Sequence, residues 1–456
     1  MRSHETQARG PFAPLLIKEL REVMAGRALW TMLLLLCPLV GFSFVQAADL
    51  YGAASSSALQ SPAAASTLSP LDGILVPTFG SFYVGVTLLF PFVAIRVLGN
   101  EKETGALRLL VQLPYRPATL VAAKLAAVQC AFMLAALPAL SALALWLAGG
   151  GHLHPGETAN VLLGHLLYGM VIGSLALFAA SISDSAATAA IITLAVTIGS
   201  WVLDFAAAGQ SGLTGALARL SLTQMLRPFE QGLLSASVVI AMVSAAAAFA
   251  ALGAIWLPPG VPMRSKLWRS AVVAVALIAI LGATTSIRRA SDVTEDQRNS
   301  FPAADQRLLA TLTEPLVVTV HLAVEDPRYV DLRRNVLAKL ERVMPNMTMR
   351  LAGERYDPGA SDSYGEINYA YGARSEMSRS TSPREVLPLL YGLAGVAPPE
   401  PIAASDYPGF PLVANTQPAL IWFFGALPVL ITVCWWWSRR PPAVALSTKE
   451  SRHEQL

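Results

Sequence analysis

The chain contains, at residues 74–96, the stretch ILVPTFGSFYVGVTLLFPFVAIR, which carries a charge only at its last position. A helix needs about 20 mostly apolar residues to cross a bilayer. Seven other stretches have the same character: 28–48, 119–148, 159–180, 185–207, 231–257, 270–287 and 418–438. Over the 456 residues, 54% are apolar and 14% are charged, whereas a soluble chain carries about 25% charged residues. The fold class predicted is a polytopic α-helical membrane protein with about eight transmembrane helices.

The charged residues are unevenly distributed. Residues 288–415 hold 31 of the 63 charged side chains, with a small acidic excess, and the rest of the chain is basic. This segment predicts a water-soluble insert between the seventh and eighth helices. The three cysteines, Cys37, Cys130 and Cys434, all lie in apolar runs, which excludes a disulfide framework or a cysteine zinc site in the insert. With no lysine- or arginine-rich block, a nucleic-acid partner is not expected.

The insert has the pattern of a small α/β domain. The run Leu316–Leu322 is rich in β-branched residues and typical of a buried strand. Helical spacing over 328–343 and a second strand at 347–351 predict a parallel βαβ unit. Further elements are expected as a helix at 302–313, a strand near 366–372 and a helix near 383–394.

Lysine and arginine in the short flanks set the orientation. With the N-terminus in the cytoplasm, the inner segments hold 17 basic residues and the short outer segments hold 2. Both termini are therefore predicted to be cytoplasmic and the insert extracytoplasmic. Residues 49–73 read as a flexible outer loop, and residues 208–230 as a stretch that re-enters the membrane. The predicted organisation is a cytoplasmic N-terminus (1–27), a six-helix body (28–257), a cytoplasmic loop and helix seven (258–287), an extracytoplasmic α/β domain (288–417), helix eight (418–438) and a cytoplasmic tail (439–456).

Residues 13–24 predict an amphipathic helix on the cytoplasmic membrane surface. Its apolar residues recur at helical spacing, and they are Ala13, Leu16, Ile17, Leu20, Val23 and Met24. The other face holds Lys18, Glu19, Arg21 and Glu22; the alternative is a solvated lead-in to the first helix. The long charged region before that first helix favours a retained helix over a cleaved signal peptide.

Between the second and third helices, residues 99–110 read GNEKETGALRLL, followed by Leu113, Pro114 and Arg116. Leu107, Leu110 and Val111 form one apolar stripe, so a short amphipathic helix is expected, with an ordinary charged loop as the alternative. The pattern Glu-x-Glu-x-Gly-x-Leu-x-x-Leu, then proline and Lys124, resembles the coupling segment of ABC-2 type transporter permeases. The sequence Ile17-Lys18-Glu19-Leu20-Arg21 before the first helix also resembles that family, over roughly residues 14–257.

In that family the interfacial helix and the coupling segment dock on a separate ATP-binding subunit. The resemblance assigns the interfacial contact to Lys18, Glu19 and Arg21, and it assigns the coupling contact to Glu101, Lys102, Glu103, Thr104, Gly105 and Arg108. It implies two ATP-binding subunits, a second permease subunit that is expected to be identical, and a bacterial inner membrane. The chain has no Gly-x-x-x-x-Gly-Lys-Ser/Thr loop. ATP and Mg are thus expected on the partner ATPase, with no cofactor and no catalysis in this chain.

After the seventh helix the chain carries Leu308-Leu309, Glu314-Pro315 and then Val317, Thr319 and Val320. With the two flanking helices, over roughly residues 270–438, this resembles the gliding-motility-type ABC auxiliary subunits, in which two helices flank an extracytoplasmic α/β domain. The function expected is that of a permease subunit of an ATP-driven transporter, with export as the expected direction. The alternative is a mechanical or scaffolding complex that acts on extracytoplasmic partners through the insert without substrate flux. The sequence leaves the substrate open, and it does not separate a homodimer from a heterodimer.

Other chemically suggestive residues favour ordinary roles. His152 and His154, near Glu157, supply too few ligands for a metal site. Met347 and Met349 at strand spacing, beside Met344, indicate a buried face more than a copper site. Among ionisable residues near the helices, Arg96, Lys124, Asp184 and Asp204 are expected to reach the headgroups, and only His165 is placed deep. The charged residues Glu325, Asp326, Asp357 and Asp362 and the serines Ser361, Ser363 and Ser375 have no recognisable catalytic context.

Overall fold

The computed structural model describes residues 12–59, 62–206, 221–287, 289–323, 326–352, 363–399 and 407–439. The first part of the chain forms α1 (Phe12–Ala25), α2 (Arg27–Ala58), α3 (Pro62–Ala65), a π-helical turn (Leu71–Leu75), α4 (Val76–Glu103), α5 (Ala106–Gln112), α6 (Pro117–Ala135), α7 (Leu137–Ala148), α8 (Pro155–Ile182) and α9 (Ala186–Ala206). After the gap come α10 (Leu222–Glu230), β1 (Leu233–Ser235), α11 (Ala236–Trp256), α12 (Met263–Thr284) and β2 (Ala290–Asp292).

The insert contains α13 (Ala303–Thr311), β3 (Leu316–Val320), α14 (Pro327–Leu332), a π-helical turn (Arg333–Leu337), α15 (Ala338–Val343), β4 (Met347–Leu351), β5 (Ile367–Tyr371), β6 (Arg374–Ser378) and α16 (Pro383–Ala394). The chain then returns as α17 (Gln417–Ile421), a π-helical turn (Trp422–Ala426) and α18 (Leu427–Ser438). Several predicted features lie outside the described residues, namely both chain ends, most of the re-entrant stretch (207–220), and Glu325, Asp357, Ser361 and Asp362.

Within the described residues, eight helices are long and apolar enough to cross a membrane. They are Arg27–Ala58, Leu71–Glu103, Pro117–Ala148, Pro155–Ile182, Ala186–Asp204, Ala236–Trp256, Met263–Thr284 and Gln417–Ser438. This confirms the mostly helical architecture and the eight helical runs predicted from the sequence. The third run bends at Ala136, where α6 gives way to α7.

Helix α8 lies at the centre of the bundle. It packs against α4, α6, α9, α10 and α11, and 72% of its most apolar 18-residue stretch is buried. Helix α12 has extensive contacts with α11 only, among the described helices. Only 6% of its most apolar 18-residue stretch is buried. The described helices therefore form a packed six-helix body with α12 at its edge, while α18 packs on α2.

The expectation of a flexible loop from residue 49 was wrong, because α2 continues to Ala58. The segment is rich in alanine, which favours helix. A helix of 32 residues is about 48 Å long, whereas the hydrocarbon core of a bilayer is about 30 Å thick. The extra turns hold the returning chain, since the Tyr51 hydroxyl donates to the Phe410 carbonyl at 2.7 Å and Ser55 Oγ accepts from the Leu412 amide at 3.0 Å.

The insert is built on a four-stranded sheet of order β4-β3-β5-β6. Strands β3 and β4 are parallel, with Leu316 opposite Met347, and helices connect them, so the predicted βαβ unit is confirmed. Strand β5 pairs antiparallel with β3. Strand β6 was not predicted, because the sequence Arg374–Ser378 is polar. It forms through a tight hairpin in which Gly372 has φ +58°, a conformation that glycine adopts readily.

The base of the insert is joined to the bundle. Strands β1 and β2 pair antiparallel, with Leu234 opposite Ser291. Arg298 pairs with Asp72 on the turn before α4, and His152 Nε2 lies 2.8 Å from Glu295 Oε2. Because Asp72 precedes α4 and Glu101 lies in its last turn, the insert and α1 lie at opposite ends of that helix.

Candidate functional site

Lys124 on α6 occupies the centre of a buried charge cluster. Its Nζ lies 2.9 Å from Glu19 Oε1 on α1 and 2.7 Å from Glu101 Oε2 on α4. All three side chains are 3–4% exposed. The expectation that Lys124 reaches the headgroups was therefore wrong. Three helices that are distant in sequence meet at this one ammonium group.

The orientation of α1 explains how Glu19 enters the cluster. The helix is confirmed, but its buried residues are Leu15, Glu19 and Val23, which recur every fourth residue on one face. Ile17, placed on the apolar stripe by the sequence, is 49% exposed. The buried charge partners on α4 and α6 decide which face of α1 turns inward.

Lys18 and Glu22 extend the cluster toward solvent. The Lys18 ammonium pairs with Glu101, and it lies 3.1 Å from Glu22 Oε1. Burial lowers the pKa of Lys18, but the stronger effect of Glu101 and its neighbours raises it above its ordinary value. Burial raises the pKa of Glu19, and Lys124 opposes that rise. The cluster thus contains three carboxylates and two ammonium groups in a partly dry environment.

Among the described residues, Glu19, Glu22 and Glu101 each place one carboxylate oxygen within 4.8 Å of the other two. Such a group of oxygens suits a bound cation. Both lysine ammonium groups already lie against these oxygens. Carboxylates paired with lysine hold their charge without a metal ion. The arrangement is best suited to joining helices.

Lys102 fixes the end of α4 to a different helix. Its Nζ donates to the carbonyls of Ala180, Ser181 and Ser183 at 2.6, 3.0 and 2.8 Å. These carbonyls end α8, where the helix dipole is negative and a cation is favoured. Glu101 and Lys102 therefore tie adjacent positions of one helix to α1, α6 and α8.

The chain then turns outward at Gly105. This residue has φ +74°, which glycine adopts without the steric cost that other residues incur, and it starts α5. On either side of this turn, the exposed surface includes Glu103, Thr104 and Arg108, with Leu109 68% exposed and Leu113 44% exposed. We call the surface formed by Glu103, Thr104, Arg108, Leu109 and Leu113 the α5 surface.

The residues assigned by resemblance thus fall into two groups. Lys18, Glu19, Glu101 and Lys102 make contacts inside the chain. Arg21, Glu103, Thr104 and Arg108 are exposed, and Gly105 makes the turn. The sequence analysis placed Lys124 at a helix end, whereas the residue lies seven positions after Pro117, about two turns into α6.

Other expected residues have structural partners. Asp204 is buried, and its Oδ2 lies 3.0 Å from Arg227 Nη2, so it does not extend toward headgroups; Arg96 and Asp184 are exposed. His165 is buried against the rings of Phe79 and Phe82. His152 stacks on Phe410 with ring centroids 3.6 Å apart. In the insert, Met344 and Met347 are buried and Met349 packs against the same core.

Comparison of the chain with protein-family models, with curated proteins and with solved structures finds no match. The resemblance to permeases therefore depends on the motifs quoted from the sequence.

Proposed function

We propose that the chain is a membrane-embedded permease subunit of an ATP-driven transporter, and that its cytoplasmic end receives force from a separate ATPase. The observation that carries the proposal is the buried cluster of Glu19, Lys124 and Glu101. It makes α1, the end of α4 and the start of α6 one mechanical unit. A displacement applied to that unit is transmitted along three helices.

The α5 surface is the proposed contact with the ATPase. It is exposed, combines two apolar side chains with charges of both signs, and follows directly from the end of α4. Interface hot spots are enriched in arginine, which Arg108 supplies, and the exposed Leu109 and Leu113 add apolar contact area. Arg21 and Glu22, exposed on α1, extend the contact.

The proposed assembly has two copies of the ATPase, which bind ATP and Mg, and two permease subunits in a bacterial inner membrane. Closure of the ATPases moves the two α5 surfaces. The buried cluster passes that motion to α4 and α6, while the Lys102 contact passes it to α8. Helix α4 has 28 residues, about 42 Å, so it carries the motion to the end where the insert is attached.

The test is co-purification from native membranes in mild detergent. The double variant Arg108→Glu, Leu109→Glu is expected to lose about tenfold or more of the co-purified ATP hydrolysis, with the thermal stability of the chain unchanged. The matched control is Met377→Glu on β6, where the side chain is 48% exposed on the insert. Equal ATPase recovery with the wild type and the Arg108, Leu109 variant would overturn the assignment.

The second candidate function is a mechanical complex that moves no substrate across the membrane. The attachment of the insert to the bundle favours it. Arg298, His152 and the β1–β2 pairing fix the insert to the bundle, so motion of α4 reaches extracytoplasmic partners. Deleting residues 301–399 leaves those contacts in place. Loss of cellular function with intact assembly and ATP hydrolysis favours the mechanical candidate, and retained function favours transport.

A further inference from the structure

A groove of about 420 Å³ runs along the outside of the bundle between α1, α2, α7 and α18. Its lining is almost wholly apolar, and its members include Trp30, Leu33, Leu137, Leu430, Ile431 and Trp437. Leu430 and Trp437 are 51% and 70% exposed. An apolar groove of this size falls in the range of ligand-binding clefts.

The groove extends from the α1 end of the bundle to the depth of one bilayer leaflet. On α18 its lining runs from Leu427 to Ser438, eleven residues or about 16 Å of helix. On α6 it reaches Leu134, ten residues or about 15 Å beyond the level of Lys124. One leaflet of a bilayer core is about 15 Å thick. The length therefore matches one acyl chain that enters from the headgroup region.

Two exposed arginines are close in the chain to residues that line the groove, and two tryptophans line it. Arg27, which is exposed, lies in the chain between the lining residues Met24 and Trp30. Arg439, also exposed, directly follows Ser438 and lies over the Trp435 ring at 4.6 Å. Tryptophan is enriched at membrane interfaces, and basic residues between helices at the cytoplasmic side bind anionic headgroups.

We infer that this groove is a seat for an anionic phospholipid of the inner leaflet, with one acyl chain between α2 and α18 and the headgroup phosphate at Arg27 and Arg439. This depends on the membrane placement of the chain and not on transport or on an ATPase. A bound lipid would fill the space between α18 and the six-helix body and so stabilise the docking of the eighth helix.

Cys434 lines the groove and is exposed, so its alkylation rate reports occupancy. The full chain is placed in nanodiscs of palmitoyl-oleoyl phosphatidylglycerol or of the phosphatidylcholine with the same chains. A membrane-permeant maleimide is added, and labelling is followed by peptide mass spectrometry. Phosphatidylglycerol is expected to slow Cys434 alkylation severalfold relative to phosphatidylcholine. Arg27→Ala or Arg439→Ala should weaken the affinity for phosphatidylglycerol about fivefold and so bring the alkylation rate back toward that in phosphatidylcholine.

The matched control is Val433→Cys in a Cys434→Ala background, because Val433 is 52% exposed on α18 but does not line the groove. Its alkylation should be the same in both lipids. Equal rates at Cys434 in the two lipids, or equal slowing at position 433, would overturn the seat. Protection that follows protein concentration instead of lipid type would assign the groove to a second copy of the chain. Rapid labelling of position 433 by a membrane-impermeant maleimide would contradict the membrane placement itself.

Discussion

The Glu19 carboxylate on α1 accepts a hydrogen bond from the Lys124 ammonium on α6 at 2.9 Å, across 105 residues of chain. Both side chains are 3% exposed. Buried ion pairs are retained only where further groups satisfy them, and removal of one partner leaves an uncompensated charge. Here Glu101 is the third member, so the lysine balances two carboxylates at once.

Lys124→Met is therefore expected to destabilise the chain by about 3–5 kcal/mol, because it removes the buried cation and leaves Glu19 and Glu101 with Lys18, whose side chain is 35% exposed. Denaturant titration of the detergent-solubilised chain measures the loss. Glu22→Gln is the control, since Glu22 is 44% exposed and an exposed pair contributes about 0–1 kcal/mol. In a double-mutant cycle, Glu19→Gln should recover part of the Lys124→Met loss; strict additivity would contradict the coupling.

Lys102→Met should loosen the end of α8. The change removes three charge-assisted hydrogen bonds to the carbonyls of Ala180, Ser181 and Ser183. A cost of about 2 kcal/mol corresponds to roughly thirtyfold faster local amide exchange. Hydrogen-exchange mass spectrometry over 176–189 measures it, with peptides of α11 as the internal reference. Lys102→Arg keeps the cation and should restore most of the protection; no change with Lys102→Met would refute the capping role.

The insert should lose stability in acid through Asp326. The Arg328 guanidinium and the Tyr364 hydroxyl, which donates at 2.9 Å, lower the pKa of Asp326 to about 2. A carboxyl whose folded pKa lies below its unfolded value stabilises the fold above about pH 4. That contribution is lost as the pH falls from about 4 to about 2.

Hydrogen exchange of residues 316–343 in the wild type and in Asp326→Asn tests this pH dependence. The variant should exchange faster than the wild type at pH 5, and the difference should shrink steadily as the pH falls toward 2. Because both chains share the same intrinsic exchange rates, the difference isolates Asp326. A difference that stays constant across this range would show that the carboxylate charge contributes nothing.

Arg298→Ala should release the base of the insert from the bundle. Arg298 pairs with Asp72, and its Nε donates to Asp296 Oδ2 at 2.8 Å. Partly exposed pairs contribute up to about 1 kcal/mol each, so severalfold faster exchange is expected in 290–300 and in the turn Leu71–Leu75. Arg307→Ala, on the exposed surface of α13, is the matched control. Equal exchange in both variants would argue that β1–β2 pairing alone holds the base.

The length and local pattern of each apolar run were enough to predict the eight helices. A run of about 20 apolar residues has few stable structures other than a helix long enough to span a membrane. The β-branched run at Leu316–Val320 and the helical spacing after it likewise predicted the parallel unit. Strand β6 escaped prediction, because its polar residues form a strand only by pairing with β5. The outer turns of α2 escaped it too, because contacts with the distant residues Phe410 and Leu412 hold them.

The candidate site was predictable in its location but not in its chemistry. The motif around Glu101 and Gly105 marked the segment, and the turn at Gly105 follows from it. Which charges face inward depends on partners far along the chain. Glu19 has the same local pattern as Glu22, yet one is buried and the other exposed, because only Glu19 faces Lys124.

The pairing of β1 with β2 has a consequence for α12. Strand β1 directly precedes α11 and strand β2 follows α12, so the sixth and seventh helices begin and end at the same pair of strands. At the far end of that loop, Lys266 Nζ donates to the Trp256 carbonyl at 3.1 Å. A helix with almost no buried surface is thus fastened at its two ends. If the chain were cleaved between residues 258 and 262, the two fragments would remain paired through β1 and β2.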